Sequence, residues 1–491
     1  METAVDRTVL TIDELAVPSG LFIGGRWVNG SDFGTVGVFN PSDGSLLTEV
    51  ADATPADGAR AVGAASEALP AWAATAPRTR SEILRRCFEL MTQRGEQLAR
   101  LISLENGKAI HDARSEVAYA AEFFRWYAEE AVRLIGQIST APSGANRIVV
   151  ERQPIGVCAL ITPWNFPAAM ATRKLAPALA AGCTAILKPA TLTPLTSLVI
   201  ADIMTQAGVP PGVVNVLTTS RTGEVMDVVL ADPRVRKLSF TGSTEVGRHL
   251  LRRAADQVLS CSMELGGNAP FVVFEDADLD LAVDGAMVAK MRNGGQACTA
   301  ANRIYVHRDV HDLFAERLTR RMSALRVGAA VDADTQLGPL VDEASVVKIE
   351  DLVRDAVGRG ATVTVGGSRI DSPGHFYAPT VVTEVPSDAR MVTEEIFGPV
   401  ASIIPFDTDE EAIAAANSTE YGLAAYVFTE DLRRGLRVAG RIESGMVAVN
   451  RGLVSDPAAP FGGVKQSGLG REGAHEGMLE FTETKYIAVD W

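Results

Sequence analysis

The most constraining feature of this sequence is a repeated alternation of short apolar runs with longer helical ones. Gly156-Val157-Cys158-Ala159-Leu160-Ile161 has no polar side, and a helical pattern follows over residues 168–181. Thr184-Ala185-Ile186-Leu187-Lys188 comes next, then a helix over 194–207, and residues 213–217 and 235–240 repeat the scheme. A run that is apolar on both faces is a strand covered on both sides, and the helices between such strands are crossovers of a parallel sheet. A second series of this kind begins at residues 269–274 and continues through 304–306, 400–406, 424–428 and 446–450. The expectation is an α/β protein with two parallel-sheet domains. Ligands of such sheets bind beyond the carboxyl ends of the strands.

The flanking segments have other patterns. Residues 21–28 and 35–40 read as strands around Gly-rich turns. Residues 55–126 are Ala-rich and helical, with Thr54 before Pro55 as an N-cap and the Thr79-Arg80-Ser81-Glu82 run near a second start. Gly136, Pro142 and Gly144 punctuate residues 135–152, which predicts a hairpin, and Lys485-Tyr486-Ile487-Ala488-Val489 is a short alternating strand.

At 491 residues the chain exceeds one ordinary core, so two or three domains are expected. Its formal net charge of −15 argues against nucleic acid or an anionic membrane as partner. An anionic substrate would need a local cluster of arginines. Five scattered cysteines with no CxxC pair fit a reducing compartment better than a disulfide framework. His307 and His311 have HxxxH spacing without the Glu of a metalloprotease motif, and read as a solvated turn rather than a metal site. The first residues lack the basic start and apolar run of a signal peptide. The longest apolar stretch, residues 175–187, is too short to span a bilayer. A cytoplasmic location is expected.

One apparent fingerprint misleads. Gly468-Leu469-Gly470-Arg471-Glu472-Gly473 matches GxGxxG, but no apolar strand leads into it and too little chain follows to complete a βαβ unit. It reads as a loop closing near the active site.

Chemistry concentrates in five stretches. Lys290 to Arg303 places Cys298 after the paired glycines Gly294-Gly295, where a carbonyl can approach a thiol closely. Arg292 and Arg303 flank it, and positive charge favours the reactive thiolate. Pro163-Trp164-Asn165-Phe166-Pro167 pins an amide between prolines after the first buried strand. Phe240-Thr241-Gly242-Ser243-Thr244 opens a helix at a strand end, where free N–H groups and Ser243 could face phosphate. Glu264 precedes the glycines of Leu265-Gly266-Gly267-Asn268, and Glu395 with Phe397 marks another turn.

In this order, these stretches resemble the aldehyde dehydrogenase superfamily, from Gly24-Gly25-Arg26-Trp27 to Lys485. They come nearest to its succinate-semialdehyde dehydrogenases through Arg292-Asn293, residues 264–271 and residues 460–473. The resemblance implies Cys298 as nucleophile, Asn165 with the Cys298 N–H as oxyanion hole, and Glu264 as general base. Ile161, Thr162, Trp164, Lys188, Thr191, Gly242, Ser243, Gly247, Leu265, Glu395 and Phe397 would bind the cofactor. Where NAD-preferring members usually carry Glu, this chain has Thr191, which favours NADP slightly over NAD. Arg173, Arg292 and Ser455 would hold the distal carboxylate of succinate semialdehyde or a close ω-oxo acid, with Asp456 opposing it if turned inward. Ala300 stands where many relatives carry a second cysteine.

The same resemblance implies a domain plan. Residues 1–134 and 154–264 would bind the cofactor and 265–470 would form the catalytic domain. Residues 135–153 and 471–491 would join subunits into a homodimer or homotetramer. Rival readings are an aromatic, glutarate-type or betaine aldehyde substrate, a CoA-acylating enzyme (which Glu264 opposes), and a non-catalytic nucleotide-binding protein.

Overall fold

The computed structural model describes residues 9–12 and 15–490. The alternation read in the sequence builds two large sheets. The first orders its strands as Gly468–Leu469, Ser260–Glu264, Val235–Thr241, Val157–Ile161, Thr184–Lys188, Val214–Val216, Leu21–Ile23 and Arg26–Val28. Its five central strands are parallel, and the hairpin at one edge and Gly468–Leu469 at the other are antiparallel. Helix Pro167–Ala181, every residue of it buried, is the crossover from Val157–Ile161 to Thr184–Lys188.

The second sheet runs Thr362–Val365, Thr380–Thr383, Val400–Phe406, Ala301–His307, Ala269–Val273, Ala424–Phe428, Met446–Val449. All neighbours are parallel except the first pair. Phe271 stacks on Phe428 at 4.7 Å in its core.

The helical region divides into Pro55–Ala73, Pro77–Gln93, Gly95–Asn106 and Ile110–Glu130. Thr54 caps the first as expected, in a reciprocal box with Asp57. The second starts at Pro77, ahead of the Thr79–Glu82 run, with no side-chain cap. The expected hairpin is formed by Gln137–Thr140 and Arg147–Pro154, and Thr482–Val489 adds to it along its full length. His311 departs from the solvated turn: a helix starts at Arg308, and His311 is buried in its first turn.

Among the described residues no helix is long and apolar enough to cross a membrane. No group of three or more His, Cys, Asp or Glu there could hold a metal ion.

Candidate active site

The cysteine loop leaves helix Leu279–Met291 through a run of left-handed residues, Asn293, Gly294 and Gly295. A Cβ on Gly295 would lie 2.1 Å from the Gly398 carbonyl, so only glycine fits there. Asn293 Nδ2 donates to the Gln296 carbonyl at 3.2 Å, and Gln296 Oε1 accepts from Val341 N at 3.0 Å, fixing the loop from both sides. Gly267 packs against it so closely that a Cβ would come within 2.3 Å of the Cys298 carbonyl.

Cys298 opens into a cavity of about 280 Å³ between the two sheets. Trp164, Asn165, Gly242, Ser243, Leu265, Glu395 and Phe397 also line it, as do Arg173, Arg292 and Ser455. The structure thus brings together eleven of the expected site residues. Ile161, Thr162, Lys188 and Thr191 lie at the adjoining ends of two strands: Ile161 pairs with Lys188, and Thr162 N donates to the Lys188 carbonyl at 3.1 Å. Gly247 lies one helical turn inside, where a Cβ would strike Leu265. Glu264, the end of its strand, is buried behind the cavity wall against Gly462, and among the described residues both its carboxylate oxygens lack a partner.

The charge pattern corrects one expectation. Arg303 points away from the thiol: it is fully buried and donates to the carbonyls of Asn268, Ala415 and Ala416. Burial, reinforced by Glu395 and Glu264, pushes the Cys298 thiol up to about 12, while Arg173 and Arg292 pull it down. Burial and nearby Glu472 also hold the Glu264 carboxyl well above the usual range, opposed by Lys174, Arg173 and Arg471.

Asn165 Nδ2 donates to the Gln296 carbonyl at 3.0 Å, which leaves the other amide hydrogen uncommitted. Among the described residues the Cys298 N–H meets no protein acceptor. Arg173 is buried between Phe461 and Phe123, 4.1 and 5.2 Å from their ring centres. Arg292 lies 4.8 Å from the Phe166 ring and has no anionic partner among the described residues. Asp456 is exposed and accepts from Ala458 N at 2.9 Å, so its charge faces out of the cavity.

The other end of the cavity suits a dinucleotide. Helix Thr244–Ala255 points its N-terminus there, although Ser243 spends its hydroxyl oxygen capping Val246 N at 3.4 Å. Thr241 Oγ1 is buried without a partner among the described residues. Burial lowers Lys188 to about 8, and its ammonium meets no side chain or carbonyl among the described residues. Thr191 donates its hydroxyl to the Thr219 carbonyl at 2.8 Å. Trp164 and Phe397 meet edge to face at 5.5 Å, and Glu395 Oε1 accepts from Gly267 N at 3.3 Å. Tyr119, Met170, Ser345, Lys348 and Phe461 line the cavity as well and escaped sequence reasoning. Lys348 and Ser345 sit on a helix remote in sequence, whereas Phe461 lies inside a stretch already singled out.

The GxGxxG run is the edge strand on Glu264: Gly468 pairs with Glu264 and Leu469 with Met263.

An α/β protein with a cysteine-centred cleft between two parallel sheets is therefore defined by fold and site together. The chain belongs to the aldehyde dehydrogenase family, whose model matches residues 27–487. It is 54% identical over 444 residues to a succinate-semialdehyde dehydrogenase of Paenarthrobacter nicotinovorans, covering 90% of this chain and 99% of that one. It is 47% identical to a glutarate-semialdehyde dehydrogenase of Pseudomonas putida, covering 95% of this chain and 97% of the relative. A crystal structure of an Escherichia coli NADP-dependent enzyme superposes with a TM-score of 0.96 at 46% identity, covering 97% and 98% of the two chains.

Proposed function

We propose that this protein oxidises succinate semialdehyde, or a close ω-oxo acid, to the carboxylic acid with NADP or NAD. The observation that carries the substrate class is the pair Arg173 and Arg292, which line one cavity with Cys298 in a protein of net charge −15. Among the described residues Arg292 has no anion of its own to hold. Paired guanidiniums suit a carboxylate and oppose a cationic aldehyde. Ser455 adds a hydroxyl to that end of the pocket.

In the reaction, Cys298 loses its thiol proton to solvent, and the thiolate sulfur bonds to the aldehyde carbon as the carbonyl π pair moves onto oxygen. The Asn165 amide and the Cys298 N–H receive that oxyanion. A nicotinamide held beside Glu395 and Phe397 would supply the hydride acceptor, so that the carbon on Cys298 reaches the thioester level. Glu264 takes a proton from the water that attacks the thioester carbon, and the carbon–sulfur bond breaks to release the acid and the thiolate. Lys188 and Thr191 would meet the adenosine ribose, Gly242, Ser243 and Gly247 the pyrophosphate, and Glu395 with Phe397 the nicotinamide ribose. Ile161, Thr162, Trp164 and Leu265 would wall the cofactor. A neutral Thr191 removes the charge that repels a 2′-phosphate, which favours NADP.

Residues 1–134 with 154–264 serve as the cofactor domain and 265–470 as the catalytic domain in this reading. Residues 135–153 and 471–491 join subunits of a homodimer or homotetramer in the cytoplasm. Exposed Ile135, Ile138 and Tyr486, 77%, 69% and 58% accessible, supply an apolar surface for that contact.

The test is kcat/KM for succinate semialdehyde against butanal, each with NAD and NADP. A preference of about a hundredfold, worth about 2.7 kcal/mol, is expected for the semialdehyde. Equal values would leave an aldehyde dehydrogenase whose substrate is not an ω-oxo acid.

A further inference from the structure

A buried polar segment that carries no catalytic motif holds both loops of the site. Glu105, Asn106 and Lys108 join helix Gly95–Asn106 to helix Ile110–Glu130, and none is more than 2% exposed. The Glu105 carboxylate accepts from Leu195 N at 2.8 Å and Thr196 N at 2.9 Å. It thereby caps helix Leu195–Ala207, which has no side-chain cap of its own and follows Thr191. Asn106 Nδ2 donates to the Trp164 carbonyl at 3.0 Å, and Thr193 Oγ1 donates to the same oxygen at 3.1 Å.

Lys108 goes one residue further. Its ammonium donates to the Asn165 carbonyl at 2.7 Å, pairs with Glu116 and lies 4.0 Å from the Phe166 ring centre. The other Glu116 oxygen accepts from Ala168 N at 2.9 Å and Ala169 N at 3.2 Å, at the start of helix Pro167–Ala181, which also lacks its own cap. Asn293 Nδ2 donates to the Asn165 carbonyl at 2.9 Å, and Asn293 N donates to Asp112 at 2.9 Å. The main chain of Asn165 is thus held by two donors, one from this segment and one from the cysteine loop.

Stability alone does not call for such a pair. A fully buried Lys–Glu pair is often no better than apolar side chains of the same volume. What it does here is fix a carbonyl whose own side chain must meet a developing oxyanion at hydrogen-bond distance, where a displacement of an ångström is costly.

We propose that Lys108, backed by Glu116, is a positioning residue for the oxyanion site: it holds the Asn165 backbone so that the side-chain amide faces the oxygen of the carbonyl that Cys298 attacks. The proposal rests on the reading of Asn165 as oxyanion donor.

The experiment is a double-mutant cycle on the full-length enzyme: wild type, Asn165→Ala, Lys108→Met and the double variant. Each is assayed for kcat, for KM of aldehyde and NADP, and for its thermal midpoint. Asn165→Ala should lower kcat by about a hundredfold or more, the scale of one lost oxyanion donor. Lys108→Met should lower kcat about tenfold or more with KM for NADP unchanged, and the double variant should fall no further than Asn165→Ala. A merely structural lysine would lower the thermal midpoint equally in both backgrounds without this loss of additivity. Losses that multiply in the double variant, or an unchanged kcat in Lys108→Met, would overturn the positioning role while leaving Asn165 in place. An unchanged kcat in Asn165→Ala would remove the oxyanion reading itself, and the positioning role with it. Should Lys108→Met not fold, Glu116→Gln takes its place in the cycle. It keeps an acceptor for Ala168 N and Ala169 N, removes the lysine's counter-charge, and is held to the same outcomes.

Discussion

Arg173 donates a 2.6 Å hydrogen bond to the phenol oxygen of Tyr119, and its guanidinium stands 3.6 Å from Glu472. The phenol therefore sets the angle of the cation that is proposed to meet the substrate carboxylate. Tyr119→Phe removes that bond and little volume. KM for succinate semialdehyde should rise about fivefold, equivalent to about 1 kcal/mol for one hydrogen bond. Butanal, which has no carboxylate, should keep its KM. A matching rise for both aldehydes would mean that Tyr119 shapes the cavity rather than the clamp.

Glu264→Gln separates the two halves of the reaction. The amide cannot accept a proton, so hydrolysis should slow by about a hundredfold or more, whereas a first turnover of hydride should still appear as a burst. Because burial and nearby Glu472 hold the Glu264 carboxyl well above the usual carboxylate range, its base form grows with rising pH only above that range. In the wild type, turnover limited by hydrolysis should climb along that limb, and in the variant the limb should be absent. Stopped-flow absorbance of the reduced cofactor reads both. A missing burst would assign Glu264 to the thiol as well.

The thiol itself has a pH signature. With Cys298 pushed up to about 12, the cofactor-free enzyme should be alkylated by iodoacetamide about tenfold faster per pH unit between about pH 7 and 9. Arg292→Met removes a charge that favours the thiolate, so the same slope should persist at lower absolute rates. A plateau below pH 8, measured by mass spectrometry of the labelled peptide, would show that the sulfur is already ionised.

Thr191→Glu tests how the cofactor is chosen. The Thr191 hydroxyl is committed to the Thr219 carbonyl, and the side chain is half-buried beside the strand end that carries Lys188. A carboxylate there would repel a 2′-phosphate and offer an acceptor to a ribose hydroxyl. The ratio of kcat/KM for NADP to that for NAD should fall about tenfold or more, about 1.4 kcal/mol. An unchanged ratio would place recognition of the 2′-phosphate elsewhere.

Sheet strands were legible because burial on both faces leaves a nearly unbroken apolar run, as in Val157–Ile161. Cys298 and Glu264 stood out because each adjoins glycines, and the close packing of Gly295 and Gly267 leaves no room for a Cβ; Asn165 stood out because it lies between prolines. What sequence could not convey is direction. Arg303 and Arg292 lie five and six residues from the cysteine along the chain, yet Arg303 is buried within strand Ala301–His307 and Arg292 lines the cavity. Tyr119, Lys348 and the Glu105–Lys108 segment reach the site through tertiary packing and carry no local pattern. Buried ions such as Lys108 read in sequence as ordinary polar residues at a helix end.

The strand Gly468–Leu469 is zipped to Glu264, and the same ribbon passes through Glu472 into Thr482–Val489, which lies along Arg147–Pro154. Whatever tugs on that ribbon is felt at Glu264, the proposed general base. Affinity tags, surface anchors or fusion partners grafted onto it would be fastened to the back wall of the reaction chamber, and an engineer seeking a neutral attachment point should choose another face.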